Sequence, residues 1–475
     1  MILDEFSDRL AKDAAAEDQK ARRSAFPQPV HVLYGGADLF SQDTPEKLGR
    51  LAVRSLASYA PDLVTFAKAL WLKGADSLPD HPDAIPEIER LVNEDPERAE
   101  SVYPGIGFIS KVFERTLRKL NEKPIEDFRI DFEDGYGFRS DEEEDSDCLK
   151  ASSALASIVN ATIKGEAKGI SLPAFGFRIK PLRPETGKRS VRTLERFIAN
   201  LAEKTGGILP RGFAVALPKV GSEREPEMLA EMLLKLEGSL GLKEGVVRIE
   251  VLIETPSAVE NLREISKAGA GRLRGAHFGA YDYTSLLGIA SDRQHLHHEA
   301  CVFARNRMLN AFAGTGVWLA DSVTIKMPVP VHRTTELKDW QVWENRRSVH
   351  EAWRLHFSNI TKSMNSGFYQ SWDLHPAQLI PRYAAVYAFY LESADSQIAR
   401  LRGFVEKASK ATMTGNEFDD AASAQGILNF LRRAVACGAL DTSETADAAG
   451  LSADELVYSN FIEIAGRRSE SAGTA

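Results

Sequence analysis

Eight short apolar segments recur along the 475-residue chain, and most of them precede polar residues and then a helical pattern. Several are continuously hydrophobic, which is typical of parallel strands buried on both faces. Strand–helix alternation repeated eight times predicts an α/β fold, a (β/α)8 TIM barrel. The candidate strands are His31–Tyr34, Phe128–Phe132, Phe175–Ile179, Phe213–Leu217, Val247–Ile253, Gly275–Gly279, Ser322–Ile325 and Trp372–Leu374.

Helical segments extend this barrel at three places. We expect residues 1–27 to form an N-terminal helix and residues 28–380 to form the catalytic barrel domain. The stretch of about 62–126 is too long for one crossover, so it predicts a helical insert before strand 2. Residues 381–475 are predicted to form a C-terminal helical extension. The helices expected after strand 8 are 378–410, 417–437 and 452–465.

Composition excludes several classes of protein. The chain has 59 Lys and Arg against 68 Asp and Glu, and no dense basic stripe, so no nucleic-acid partner is expected. The segment 444–456 has the pattern of a helix-turn-helix, but it offers Asp454 and Glu455 where a DNA-docking helix needs Arg, Lys or Asn. Three widely spaced cysteines argue against a disulfide framework and against a cysteine-based zinc site.

The apolar segments also bear on location. No run approaches the ~20 apolar residues that a membrane span requires, and the first residues lack the pattern of a signal peptide. The sequence therefore predicts a cytoplasmic protein without a membrane partner.

Charged residues stand where these strands end. Because the carboxyl ends of parallel barrel strands meet at one rim, we expect these side chains to converge there. Crowded carboxylates in one pocket are costly without a ligand, and all-oxygen ligation suits Mg²⁺ or Mn²⁺ rather than zinc. The residues concerned are Asp131, Glu133 and Asp134 after strand 2, Arg178 on strand 3, Lys219 after strand 4, Glu254 after strand 5, Asp282 after strand 6 and His375 after strand 8.

Each residue has a structural alternative when it is taken alone. A glutamate at a strand end is often a helix cap, and an arginine on a strand usually forms an ion pair. Their joint occurrence at successive strand ends favours a site. There, Glu254 and Asp282 are predicted to bind the metal and Arg178 to clamp a substrate carboxylate. The ion would chelate a 2-oxo acid and stabilise the enolate formed next to it. Lys219 could instead form a Schiff base.

These motifs resemble the citrate lyase β-subunit/HpcH–HpaI aldolase family, which is part of the phosphoenolpyruvate/pyruvate-barrel superfamily. The resemblance covers about residues 30–380. It implies that Glu254 and Asp282 ligate Mg²⁺, that Arg178 binds the substrate carboxylate and that the protein is a trimer or hexamer. The matching segments are Asp131–Asp134 (DFED), Arg178 in FRIK, Leu217–Val220 (LPKV), Ile253–Thr255 (IET), Phe278–Tyr283 (FGAYDY) and Leu374–Gln378 (LHPAQ).

Within these motifs, Gly279 and Ala280 are expected to contact substrate, and Lys219 and His375 are further catalytic candidates. The sequence departs from the family pattern at two places: Lys180 follows Arg178-Ile179 where Asn is usual, and Asp134 stands where HpaI-type aldolases place a His. Asp131, Glu133 and Asp134 are predicted to order metal-bound water or to move protons, and the general base is open between Glu133, Asp134 and a metal-bound water.

The expected function is a Mg²⁺-dependent carbon–carbon lyase or aldolase acting on a small 2-oxo acid or on an acyl-CoA-type substrate. Alternatives are condensation of glyoxylate with an acyl-CoA, as malate synthases perform, phosphoryl chemistry related to phosphoenolpyruvate, and a non-catalytic binding or regulatory barrel. Phosphoryl chemistry is disfavoured, since no Gly-rich phosphate loop or phospho-histidine signature stands out.

Overall fold

Eight parallel strands close into a barrel in the computed structural model, which describes residues 28–165, 174–408 and 421–473. Each strand pairs with the next along the chain, and the last pairs with the first. The predicted (β/α)8 fold is therefore confirmed. The strands are β1 (His31–Gly36), β2 (Asp127–Asp131), β3 (Ala174–Arg178), β4 (Ala214–Leu217), β5 (Arg248–Ile253), β6 (Leu273–Phe278), β7 (Trp318–Asp321) and β8 (Gln370–Asp373).

The predicted position of the seventh strand is wrong. The apolar run Ser322–Ile325 is a loop, and β7 precedes it. The strand was obscured because it ends in a charged residue: Asp321 is buried and accepts hydrogen bonds from Arg305 (3.0 Å) and from the Ser363 hydroxyl (2.5 Å). Because these hydrogen bonds satisfy the Asp321 carboxylate, its burial among the helices is tolerated.

Helices follow the strands and bury one apolar face each. In Gly187–Thr205 the residues Leu194, Phe197, Ile198 and Leu201 recur at helical spacing and are buried. The helix ends at Gly206, whose left-handed φ of 63° suits glycine. The remaining helices between β1 and β8, the insert aside, are Thr44–Tyr59, Asp141–Ile163, Arg224–Ser239, Pro256–Glu260, Leu262–Lys267, Ala280–Leu286, Glu299–Phe312 and Asp339–Asn365.

The described chain divides into two compact units. One comprises Gln28–Leu70 and Leu117–Arg382 and contains the barrel; the other comprises Trp71–Thr116 and the described part of Tyr383–Ala475. The helices in the insert region are Leu63–Leu70, Ile85–Glu94, Pro96–Val102 and Ile106–Glu122. The expected N-terminal helix at 1–27 lies outside the described residues.

The C-terminal helices are more broken than predicted. The expected helix 378–410 is two helices, Leu379–Leu391 and Ala394–Ala408, and the expected helix 452–465 is also two. Asn460 causes the second break, because its side chain accepts a hydrogen bond from the Glu463 amide and caps a new helix. The helices after residue 410 are Ala421–Ala436, Thr442–Ala449, Ala453–Tyr458 and Phe461–Gly473, and they pack through Leu428, Leu431, Leu456 and Ile464.

The segment that resembles a helix-turn-helix does form two short helices joined at Gly450, which has a φ of 72°. Its acidic residue Glu455 has a local role, since its side chain and that of Ser452 form a capping box. In the ranges that the structure describes, no helix is both long and apolar enough to cross a bilayer.

Candidate active site

A buried ion pair joins the ends of β2 and β3. Arg178 donates from Nε and Nη2 to the two oxygens of Asp131, each at 2.6 Å. The Asp131 oxygens also accept from the backbone N–H groups of Glu133 (3.0 Å) and Gly135 (2.7 Å). Asp131 therefore positions Arg178 and the loop after β2, and its oxygens are fully engaged.

The third nitrogen of Arg178 faces the next two carboxylates. Nη1 lies 2.9 Å from Glu133 Oε2 and 3.5 Å from Asp134 Oδ2. Only 8% of the Glu133 side chain is exposed, whereas 62% of the Asp134 side chain is exposed. Burial raises the pKa of Glu133, although Arg178 and Lys219 oppose the rise. The predicted clamp is thus occupied by acids of its own chain, and Nη1 is the nitrogen that faces the exposed Asp134.

Lys219 connects three of these strand ends. Its ammonium lies 2.6 Å from Glu133 Oε1, 3.1 Å from Asp282 Oδ2 and 3.5 Å from Asp134 Oδ1. Burial alone would lower the pKa of Lys219, but the surrounding carboxylates outweigh burial and raise it above its ordinary value. A Schiff-base lysine needs a lowered pKa, so this environment disfavours that alternative.

The Lys219 backbone has an uncommon conformation. Its φ of 52° lies in the left-handed region, which costs energy for a residue with a side chain. In this turn the Lys219 N–H donates to Glu254 Oε1 at 2.6 Å while the side chain reaches Glu133. One residue therefore holds Glu254 with its backbone and the other carboxylates with its side chain.

Glu254 is buried at the end of β5 against Gly279. Burial raises its pKa to about 7; Lys219 opposes this rise and the Asp282 carboxylate adds to it. A Cβ at Gly279 would lie 2.5 Å from both Cβ and Oε2 of Glu254, so only glycine fits there. The neighbouring Ala280 N–H donates to the Ser322 hydroxyl at 3.1 Å. Substrate contacts by Gly279 and Ala280 stay a prediction.

The donor chemistry of Glu254 and Asp282 fits magnesium. Both present carboxylate oxygens at adjacent strand ends, both approach Lys219, and Mg²⁺ commonly binds through one or two carboxylates and water. In the described parts of the chain, no three His, Cys, Asp or Glu side chains are grouped to hold a metal ion. A metal here would thus be held by two carboxylates and other oxygen donors, and this assignment stays a prediction.

His375 has a local structural role. Its Nδ1 accepts a hydrogen bond from the Ala377 N–H at 3.1 Å and so caps the turn after β8, while the Gln378 side chain accepts from the His375 N–H. Burial lowers the pKa of His375. The contacts resolved for the described residues do not join it to the carboxylates, and its catalytic role stays a prediction.

Two aromatic residues beneath Arg178 were not among the predicted site residues. The Arg178 guanidinium carbon lies 4.9 Å from the centre of the Tyr34 ring and 5.9 Å from that of Trp372. These two rings stack at 4.5 Å inside the barrel. The interior positions of both residues on β1 and β8 follow from strand alternation, which is the signal that could have identified them.

The contacts of Lys180 explain why a lysine stands where the family pattern usually has Asn. Its ammonium donates to the Phe132 carbonyl (2.6 Å) and to Glu144 Oε2 (2.8 Å). Lys180 therefore ties the loop after β2 to the helix Asp141–Ile163. This lysine braces the loop that carries Glu133 and Asp134.

Among curated proteins, the chain is similar to the L-malyl-CoA/beta-methylmalyl-CoA lyase of Haloarcula marismortui, with 37% identity over 92 residues. That alignment covers 19% of this chain and 26% of the relative, so the chain matches about a quarter of the relative's length. This local match supports the resemblance to the citrate lyase β-subunit/HpcH–HpaI group that the motifs predict.

Similar solved structures include a citrate lyase from Burkholderia xenovorans LB400, at 18% identity over 70% of this chain and 90% of that chain, with a TM-score of 0.48. The magnesium and glyoxylate complex of Haloferax volcanii malate synthase has 15% identity over 73% of this chain and 88% of that chain, with a TM-score of 0.41. CitE from Mycobacterium tuberculosis, in complex with magnesium, acetoacetate and coenzyme A, has 18% identity over 65% and 89% of the two chains, with a TM-score of 0.41.

A family model spans nearly the whole chain. It matches residues 10–464, which include all eight strands and the described C-terminal helices as far as the first residues of the last one. The chain therefore belongs to the family described as domain of unknown function DUF6986.

Proposed function

We propose that this protein is a Mg²⁺-dependent carbon–carbon lyase that acts on a small acyl-CoA thioester or 2-oxo acid. The observation that carries the proposal is the convergence of Arg178, Lys219 and the carboxylates of Glu133, Glu254 and Asp282 at the carboxyl ends of adjacent strands. That end of the barrel is where enzymes of this fold carry out their chemistry. The local similarity to a malyl-CoA lyase supports cleavage next to a thioester.

The charged residues have separate roles in binding. Glu254 and Asp282 would hold the ion, which when bound supplies positive charge to the oxygen atoms of the substrate. Arg178 is kept in place by Asp131, so its Nη1 is the donor that a substrate carboxylate would take over from Glu133. The rings of Tyr34 and Trp372 below the guanidinium exclude water from its lower side.

A proton must move when the carbon–carbon bond breaks. Asp134 is the exposed carboxylate of the set, with 62% of its side chain accessible, and it remains within 3.5 Å of Lys219. Glu133 is enclosed between Arg178 and Lys219 and is poorly accessible to a substrate. We therefore assign proton transfer to Asp134 and a positioning role to Glu133.

Ligand-dependent stabilisation tests the site before any substrate is known. Mg²⁺ with oxalate or pyruvate should raise the melting temperature of the wild type, because a ligand at 100 times its Kd adds about 2.7 kcal/mol to stability. The Glu254→Gln variant should lose this rise. Asp292→Asn, an exposed acid on the loop after β6, is the matched control and should keep it.

Activity then distinguishes the classes of enzyme. We expect Mg²⁺-dependent release of a 2-oxo acid or glyoxylate from hydroxyacyl-CoA esters, lost in Asp282→Asn and strongly reduced in Asp134→Asn. Net condensation of glyoxylate with acetyl-CoA, without cleavage, would favour a malate-synthase-like reaction instead. Binding without either reaction would favour a regulatory barrel, and activity that survives Asp282→Asn would refute the metal assignment.

A further inference from the structure

The candidate site already contains a cation that belongs to the chain itself. The ammonium of Lys219 lies within 3.5 Å of carboxylate oxygens from Glu133, Asp134 and Asp282. These acids come from the loop after β2 and from the helix after β6. Like charges so close together would repel one another, and the ammonium offsets that repulsion.

One of these acids is a predicted metal ligand. Lys219 Nζ is 3.1 Å from Asp282 Oδ2, which is a direct ion pair. A divalent ion bound to the same oxygen would lie a few ångströms from the ammonium, and two positive charges at that spacing repel strongly in a partly buried site. The lysine and the metal therefore cannot both make their best contacts with Asp282.

The lysine is free to leave without disturbing Glu254. Glu254 is held by the Lys219 backbone N–H, and this bond does not depend on where the side chain lies. The side chain itself is 30% exposed, so it has solvent into which it can move. A flexible four-carbon stem with a single point of charge is suited to such a movement.

We propose that the Lys219 ammonium is a built-in counter-ion of the barrel mouth, and that a divalent cation binds there by displacing it from Asp282. This inference rests on the proposed function, because it takes Glu254 and Asp282 as the metal ligands. It explains how Glu133, Asp134 and Asp282 stay together when no metal is bound. It also predicts that Lys219 weakens metal binding, which is the opposite of what a group that assists the metal would do.

Metal affinity of charge variants tests the exchange directly. Mn²⁺ binding, measured by electron paramagnetic resonance, should tighten by roughly tenfold or more in Lys219→Met, because a repelling charge is removed. Lys219→Arg keeps the charge and should retain an affinity near that of the wild type. The metal-free melting temperature should fall in Lys219→Met and recover on addition of Mn²⁺.

Two further measurements guard against a variant that does not fold. Lys219→Gly removes the same charge and suits the left-handed backbone at φ 52°, so it should also bind Mn²⁺ more tightly. In the wild type, Mg²⁺ should increase acetylation of the Lys219 amine by an amine-reactive reagent. Acetylation of Lys180, which is tied to Glu144 and the Phe132 carbonyl, should not change.

The outcomes separate this inference from the proposed function. Unchanged or weaker Mn²⁺ binding in both neutral variants, or Lys219 labelling that does not respond to Mg²⁺, would overturn the counter-ion role while leaving the metal site intact. Failure of the wild type to bind Mn²⁺ at all, or binding that is undiminished in Glu254→Gln, would overturn the proposed function itself.

Discussion

Replacing Gly279 by alanine should destabilise the barrel through a single added methyl group. The new Cβ would lie 2.5 Å from Cβ and Oε2 of Glu254, whereas carbon atoms in contact prefer about 3.5–4.0 Å. Rotation of the Glu254 side chain can move Oε2 but not Cβ, so the backbones of two neighbouring strands must separate. Overpacking of this kind costs about 1–3 kcal/mol.

The matched control is Gly238→Ala in the helix Arg224–Ser239. A Cβ at Gly238 has no atom within 4 Å, so the substitution removes only the flexibility of glycine and should stabilise by about 0.5–1 kcal/mol. The two variants should therefore shift the urea midpoint in opposite directions when unfolding is followed by circular dichroism. A Gly279→Ala protein as stable as the wild type would refute the close packing of Gly279 on Glu254.

Three further predictions concern stability. Asp131→Ala leaves the buried Arg178 without its bidentate partner and should cost about 3–5 kcal/mol, measured as a lower urea midpoint; a loss below about 1 kcal/mol would contradict the pair. Tyr34→Phe removes a buried hydroxyl that has no hydrogen-bond partner among the described residues, so the melting temperature of this variant should equal or exceed that of the wild type. Tyr136→Phe, in contrast, loses a 2.8 Å hydrogen bond to Asp147 and should have a lower melting temperature. Below about pH 6.5 the free energy of unfolding should fall as the pH falls, because the unfolded chain binds protons at four histidines whose pKa is lowered in the folded protein. These four outnumber Glu254, whose raised pKa acts in the opposite direction, and constant stability from pH 7 to 5.5 would contradict the prediction. The histidines whose pKa burial lowers are His297, His350, His356 and His375.

Periodicity was sufficient to predict most of the barrel. Parallel strands buried on both faces leave runs of apolar residues, and seven of the eight runs overlap the observed strands. The exception, β7, is short and ends in Asp321, whose burial depends on Arg305 and Ser363 from two different helices. A sequence pattern contains no information about partners that far along the chain.

The prediction missed two helix breaks in the C-terminal region, of which one is marked in the sequence and the other is not. The start of the last helix is marked by Asn460, an ordinary cap that the sequence displays. The break between Leu391 and Ala394 has neither glycine nor proline, so propensity alone favours one long helix there.

The sequence indicated which charged residues meet at the rim, His375 excepted, but it did not indicate their contacts. Strand ends identify which charged residues share the rim, because parallel strands in a barrel all end on the same side. Strand ends do not reveal that Asp131 forms an ion pair with Arg178, 47 positions later, or that Lys219 forms one with Asp282. Those pairings depend on strand register and on side-chain rotamers, which only the closed barrel fixes.

The central claim is that Glu254 and Asp282 share one divalent ion. Anomalous diffraction from crystals equilibrated with Mn²⁺ tests it most directly. The account predicts a single peak within roughly 2.5 Å of one oxygen from each carboxylate, with the Lys219 ammonium withdrawn from Asp282. A saturating Mn²⁺ concentration that leaves this position empty, with Lys219 still paired to Asp282, would contradict the account.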